Sequence, residues 1–263
     1  NAGSYEQFAA EHEGILPQEL TIHKYGSSGA AGSVFATAAV SLKGLKGDQP
    51  AEWVGCFTLR TPNPANFDGQ TYQARHIAKG NLVELAAGED LNAALSLACD
   101  GFEFGIEEAS IPGPDGSGAY DADHYLDTRS EASMLILSFW NSLNRKEYAR
   151  AYSFFEAPTI FPGPYTTFRD GYKGTATVSG HLGTVSQDAA AGNRYWKVPT
   201  NLRSITDDGV QHSFIGCYIL HQSVPELYAA PPFQPMAIQK ANFVASNPNI
   251  SSEDLKTALD HAC

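Results

Sequence analysis

The stretch EWVGCFTLR at 52–60 returns downstream as SFIGCYILH at 213–221. Each sets Gly-Cys-aromatic inside a short run of the β-branched and aromatic residues that favour strands. The likeness continues on both sides. IAKGNLV (77–83) faces IQKANFV (238–244), sharing the Ile77/Ile238, Lys79/Lys240, Asn81/Asn242 and Val83/Val244 pairs. DLNAALSLAC (90–99) faces DLKTALDHAC (254–263), with six of ten positions identical. Upstream, SYEQFAAEHEG (4–14) faces PYTTFRDGYKG (164–174) through a tyrosine, a phenylalanine and the final glycine. One such echo is chance, but four in register are an internal duplication of about 4–99 and 164–263.

The duplication bears on the cysteines. Four are present, Cys56, Cys99, Cys217 and Cys263, and four cysteines permit three pairings. In each copy one cysteine lies in an apolar strand and the next ends a DL..AL..AC helix. Cys56–Cys99 and Cys217–Cys263 are therefore the simplest pairs, with four free buried thiols as the alternative. Closing loops of this length contributes roughly 4 kcal/mol each in the chain-entropy model. Disulfides imply an oxidising, extracytoplasmic compartment, secreted or periplasmic. The opening NAGSYEQ contains no Met and reads as a processed start.

Composition excludes several classes. The net charge of −12 disfavours a phosphate-facing surface for nucleic acid or anionic lipid. No apolar run approaches the ~20 residues that cross a bilayer. No cysteine pair or Cys/His spacing suggests a structural metal, and no cofactor motif appears. GSSGAAGS (26–33) lacks the Lys-Ser/Thr ending of a phosphate loop and reads as a flexible loop.

Along the chain, 33–43, 51–60 and 72–85 read as strands in the first copy. In the second, 174–186, 194–205, 210–222 and 235–245 do so. A helix closes each copy at about 90–98 and 252–262. The organisation expected is a first repeat at 1–99, an acidic Gly/Pro-rich linker at 100–129, and a second repeat at 130–263. Within 100–131 nine Asp/Glu face a single Arg. Thr128-Arg129-Ser130-Glu131 reads as a capping box. Ala132, Leu135, Ile136, Phe139, Trp140 and Leu143 then follow at helical spacing, and Tyr148, Ala151, Tyr152 and Phe155 mark a second helix that ends at Pro158.

FWNSLNRKEYARAYSFF (139–155) with YTTFRDGYKGTATVSG (165–180) resembles the NTF2-like (cystatin-like α+β) superfamily, and in particular uncharacterised exported bacterial members. The resemblance implies an α+β fold of two NTF2-like units, each a curved antiparallel sheet with helices on its concave face. It covers 130–263 directly and 4–99 only through the repeat. The first copy lacks the N-terminal helical hairpin. Its concave face then needs an upstream segment, the linker, a partner chain or self-association to cover it.

Enzymes of that superfamily place a His or Asp in the cone as general base, with Tyr or Asp donors beside it. The candidates here are His212, Asp170 and Tyr165, with Tyr172, His181 and His221 behind them. His212 shares a strand face with Tyr218, although a strand-end position at the rim is the plainer reading. Asp170 follows Arg169 on the exposed side of a short helix, where a surface ion pair is the plainer reading. Phe139, Trp140, Tyr152 and Tyr218 are candidates for lining an apolar ligand cavity, against a plain role in core packing. Asp115, Asp121, Asp123 and Asp127 supply the oxygens Ca²⁺ prefers, at a spacing that is not an EF-hand's. Asn249-Ile250-Ser251 is a glycosylation sequon. The function expected is a non-enzymatic extracytoplasmic protein that binds a partner subunit or a small apolar ligand, as part of an envelope or surface assembly. The alternative is a lyase or isomerase working in a cone-shaped cavity.

Overall fold

Two antiparallel sheets carry the chain, and in each a short helix, a run of antiparallel strands and a further helix follow one another. The computed structural model describes residues 5–30, 32–67, 71–107, 125–224 and 233–263. It is an α+β protein that divides into two compact units. The first comprises 1–66 and 73–113, the second 67–72 and 114–263.

In the first unit, helix α1 (Tyr5–Glu11) precedes β1 (Ile15–Ala30), β2 (Ser33–Lys46), β3 (Gln49–Pro62) and β4 (His76–Glu84). Helix α2 (Leu91–Ala98) follows, then the short β5 (Ile106–Glu107). The sheet order is β4-β3-β2-β1-β5. Gly26–Ala30, read from the sequence as part of a flexible loop, belongs to β1. Each of these residues pairs with β2, from Gly26 opposite Thr37 to Ala30 opposite Ser33. The long neighbouring strand supplies a ladder that local glycine content does not reveal.

In the second unit, α3 (Ala132–Asn144), α4 (Tyr148–Tyr152) and α5 (Tyr165–Tyr172) lead into β6 (Thr175–Leu182) and β7 (Ser186–Ala190). The unit continues through β8 (Asn193–Thr206), β9 (Gln211–Ser223), β10 (Ala237–Ser246) and α6 (Ser252–Asp260). The order is β10-β9-β8-β6, with β7 also pairing β8. Thus β6 and β7 together occupy the place of the long β1. The interruption falls opposite Pro199, whose carbonyl accepts from the Gly183 N–H at 2.7 Å. A strand residue directs its N–H and C=O to the same side, so the N–H that proline lacks is missing where the neighbouring strand breaks.

The repeat extends to register. Cys56 pairs with Asn81 as Cys217 pairs with Asn242, and Gly55 with Leu82 as Gly216 with Phe243. The edge strand slips by one residue between Lys79 and Ile77 in one copy and between Lys240 and Ile238 in the other. The ends of α2 and α6 are each tied by a disulfide to the strand beside the edge strand, β3 or β9. Cys56–Cys99 and Cys217–Cys263 have Cα–Cα distances of 5.1 and 5.2 Å, the pairing that the repeat suggested.

Helix ends follow local chemistry. Asp90 caps α2 by accepting from the Ala93 N–H, and Ser251 caps α6 by accepting from the Asp254 N–H. The capping box expected at Thr128–Glu131 does not form. Glu131 occupies the N-cap of α3 with no side-chain cap bond. The Thr128 N–H instead donates to the Ser138 hydroxyl at 2.9 Å, nearly two turns into the helix.

The two cores differ in scale. In the second unit, α3, α4 and α5 lie against one sheet face. Leu135, Ile136, Phe139, Trp140, Phe154 and Phe168 meet Val178, Val198, Tyr218, Leu220 and Ile238 there. In the first unit a small cluster of Ala39, Val54, Cys56, Ala94, Leu95 and Ala98 joins α2 to the opposite sheet face.

Candidate functional site

The interior of the second unit is where a ligand chamber was expected, and aromatic rings fill it. Phe139, Trp140 and Tyr218 are 1%, 0% and 4% exposed. Phe139 meets Phe154, Phe155 and Tyr218 edge-on at centroid distances of 6.3, 5.4 and 6.3 Å. Tyr152 packs on Tyr165 and Phe168, and its hydroxyl donates to the Gly163 carbonyl at 2.7 Å. Helical spacing brought these rings to one face, and close packing of that face against the sheet leaves them as core. Burial pushes the Tyr218 hydroxyl upward, assisted by Tyr172 and opposed by the Trp140 indole facing it. Burial also pushes Tyr172, up to about 12.

The catalytic candidates do not converge. His212 is exposed at the start of β9, stacked on Phe214 with centroids 6.4 Å apart. Asp170 is exposed and pairs with the Arg169 Nε at 3.1 Å. Tyr165 stands against Tyr152 at 5.4 Å. His181 is exposed on β6, opposite Asn201.

Two polar constellations lie elsewhere in this unit. One is buried and structural. The Arg150 guanidinium, 0% exposed, donates to Glu147 Oε2 at 2.5 Å, to the Leu126 carbonyl at 2.6 Å and to Asn141 Oδ1 at 3.0 Å. It also lies 4.4 Å over the Tyr125 ring. The Tyr125 hydroxyl donates to Asp127 Oδ2 at 3.0 Å, and the Tyr72 hydroxyl lies 3.0 Å from it. Burial, together with the Asp127 charge, pushes Tyr125 far upward. Asp127, a candidate calcium ligand, spends its oxygens on Tyr125 and on Arg129 Nε at 3.2 Å. Asp115, Asp121 and Asp123 lie outside the described residues. Among the described residues no group of three His, Cys, Asp or Glu is placed to hold a metal.

The second constellation borders an open cleft of about 200 Å³, lined by Arg129, Ser153, Glu156, His221, Ser223 and Gln234 among others. His221 Nδ1 lies 2.6 Å from Glu156 Oε1, and Nε2 lies 2.8 Å from Asn193 Oδ1. Asn193 is oriented by its Nδ2, which donates to the Ala191 carbonyl at 3.2 Å. The Ser223 hydroxyl adds a bond to the same Oδ1 at 3.1 Å. Tyr195 stacks on the imidazole at 4.9 Å. Arg129 is held by two bonds to Ser153, at 2.9 Å to its carbonyl and 2.8 Å to its hydroxyl, and lies 4.1 Å over Phe154. The Glu156 backbone N–H donates to the Ile238 carbonyl at 2.9 Å, which fixes the carboxylate beside β9. A general base needs a ring nitrogen turned to its substrate. Both nitrogens of His221 face protein oxygens instead, so the dyad braces the cleft wall.

Of the cleft residues, the sequence singled out His221 alone as a site candidate. Glu156 and Asn193 carried no local signal, because 65 and 28 residues separate them from the histidine they flank. No protein-family model matches the chain, and no curated protein matches it.

Proposed function

We propose that the chain is a non-enzymatic extracytoplasmic protein that acts by binding a protein partner, and that its units are NTF2-like repeats. The observation carrying this reading is the filled interior of the second unit. A cone that works on or stores a small molecule needs a chamber, whereas Phe139, Trp140 and Tyr218 occupy this one at 1%, 0% and 4% exposure. That favours assembly over an apolar ligand or a cavity-based lyase or isomerase. Two features support the family part. The helices lie on one sheet face and the disulfide-linked α6 on the other, and the register of the first unit matches that of the second.

The two disulfides support an oxidising compartment. Among the described residues no helix is long and apolar enough to cross a membrane.

Mass measurement of the purified protein under native conditions, with and without reductant, tests the proposal. The expected result is two disulfides and a self-associated or partner-bound species without a small-molecule adduct. Four free thiols, or a stoichiometric apolar adduct on a monomer, would overturn it.

A further inference from the structure

The duplication allows positions of the first unit to be compared with their counterparts in the second. Ile238 is 0% exposed beneath the helices of the second unit, and its counterpart Ile77 is 60% exposed. Both stand just past the strand slip, Ile77 opposite Leu59 and Ile238 opposite Leu220. Phe168 on α5 is 6% exposed, and its counterpart Phe8 on α1 is 53% exposed. Leu59, Phe57 and Ala38 are half-buried where Leu220, Tyr218 and Val198 are buried. At the centre of the same face Val40 and Trp53 are each 4% exposed, while Leu20 and Ile22 on its β1 side and Val34 on β2 are 60%, 38% and 51% exposed. At Ile77/Ile238, Phe8/Phe168, Leu59/Leu220, Phe57/Tyr218 and Ala38/Val198 the chemistry is kept, apolar or aromatic for the same, while the cover differs.

The second unit shows what such a face receives. Its cover is α3 and α4, and α3 carries no charged residue over Ala132–Asn144. Its ridge of Leu135, Phe139 and Trp140 packs on the sheet. We infer that the first unit completes its sheet face with an amphipathic helical hairpin of the same character, supplied by a partner chain. The site spans Phe8, Ile77, Leu59 and Phe57. The inference rests on the partner-binding reading above and deepens it by assigning the surface and the class of partner. An apolar helical face laid in an apolar groove draws its affinity from the area removed from water, and its specificity from the i, i+3, i+4 anchors.

The hairpin of this chain is itself the natural probe. A synthetic peptide of residues 131–157 is titrated into the oxidised full chain, with backbone hydrogen exchange followed by mass spectrometry. Saturable one-to-one binding is expected, with slowed exchange over Tyr5–Glu11 and His76–Glu84. Ile77→Asp is expected to weaken binding about tenfold or more, since tenfold corresponds to only 1.4 kcal/mol. Phe8→Ser, on a different element, gives an independent second variant. Val83→Asp, on the opposite sheet face, leaves binding unchanged. Absence of saturable binding, protection confined to 175–246, or indifference to both Ile77→Asp and Phe8→Ser would overturn the inference. If native masses nevertheless show a bound partner, the partner-binding function stands and only this surface falls.

Discussion

Gly55 and Gly216 occupy the same place in their two sheets, each pressed against a carbonyl of the neighbouring edge strand. A Cβ built on Gly55 meets the Asn81 oxygen at 2.0 Å, and one on Gly216 meets the Asn242 oxygen at 2.0 Å. Both obstacles are backbone, which cannot swing aside. Gly55→Ala and Gly216→Ala are each expected to cost about 1–3 kcal/mol, the range for overpacking a well-filled site. Gly171→Ala on α5, with nothing near its Cβ, is the comparison and is neutral to slightly stabilising. Urea unfolding checks all three, and an unchanged midpoint for both strand variants would contradict the close approach.

Reduction is expected to act unequally. Each disulfide closes a loop of similar length, with sequence separations of 43 and 46, worth roughly 4 kcal/mol in the chain-entropy model. In the first unit that contribution supports a small alanine-rich cluster. In the second it adds to an aromatic core. Under reductant, hydrogen exchange over Gln49–Pro62 should accelerate at lower urea than exchange over Gln211–Ser223. Simultaneous loss would show that the second core is not self-sufficient.

Arg150 is buried with every named partner fixed. Arg150→Met leaves the Leu126 carbonyl without the guanidinium, takes from Asn141 Oδ1 the charged donor beside its Leu126 N–H at 3.1 Å, and leaves Glu147 paired with Arg145 at 2.8 Å. Breaking one side of a buried pair costs about 3–5 kcal/mol. Thermal unfolding reads the loss. Arg150→Lys is expected to recover little of it, because one ammonium cannot reach three separated acceptors in a plane.

Alkaline pH should unfold the second unit. Burial raises Tyr218 above its ordinary value near 10, and raises Tyr172 to about 12. A raised folded-state value means that the folded form holds its proton longer. The stability from these groups is therefore complete below about pH 10 and is lost as pH climbs toward 12 and beyond. Tyrosinate absorbance near 295 nm and circular dichroism, followed together, should show late-ionising tyrosines releasing protons with the unfolding step. Full ionisation at pH 10 with the fold intact would refute the burial argument.

What could be read beforehand follows from range. The Gly-Cys strands, the edge strands and the DL..AL..AC helices were legible because each repeats within the sequence, and repetition converts weak local patterns into a strong one. Phe139 and Trp140 were correctly brought to one helix face, yet periodicity does not distinguish a ring that lines a chamber from one that fills it. The burial of Arg150 had no signal, since arginine is among the residues least often buried. Of its partners, Glu147 and Asn141 lie near it on the helical hairpin, while the Leu126 carbonyl comes from the segment before α3. The Glu156–His221–Asn193 brace stayed hidden for the same reason.

The shared register has a cost at the moment of synthesis. Cys56 and Cys217 sit in strands so alike that each is a plausible first bridge for either helix-end thiol. Four thiols have three pairings, and the two incorrect ones staple one copy to the other. During oxidative maturation a chain carrying the same strand twice competes with itself. Its yield should therefore depend on a thiol–disulfide catalyst more steeply than that of either copy made alone.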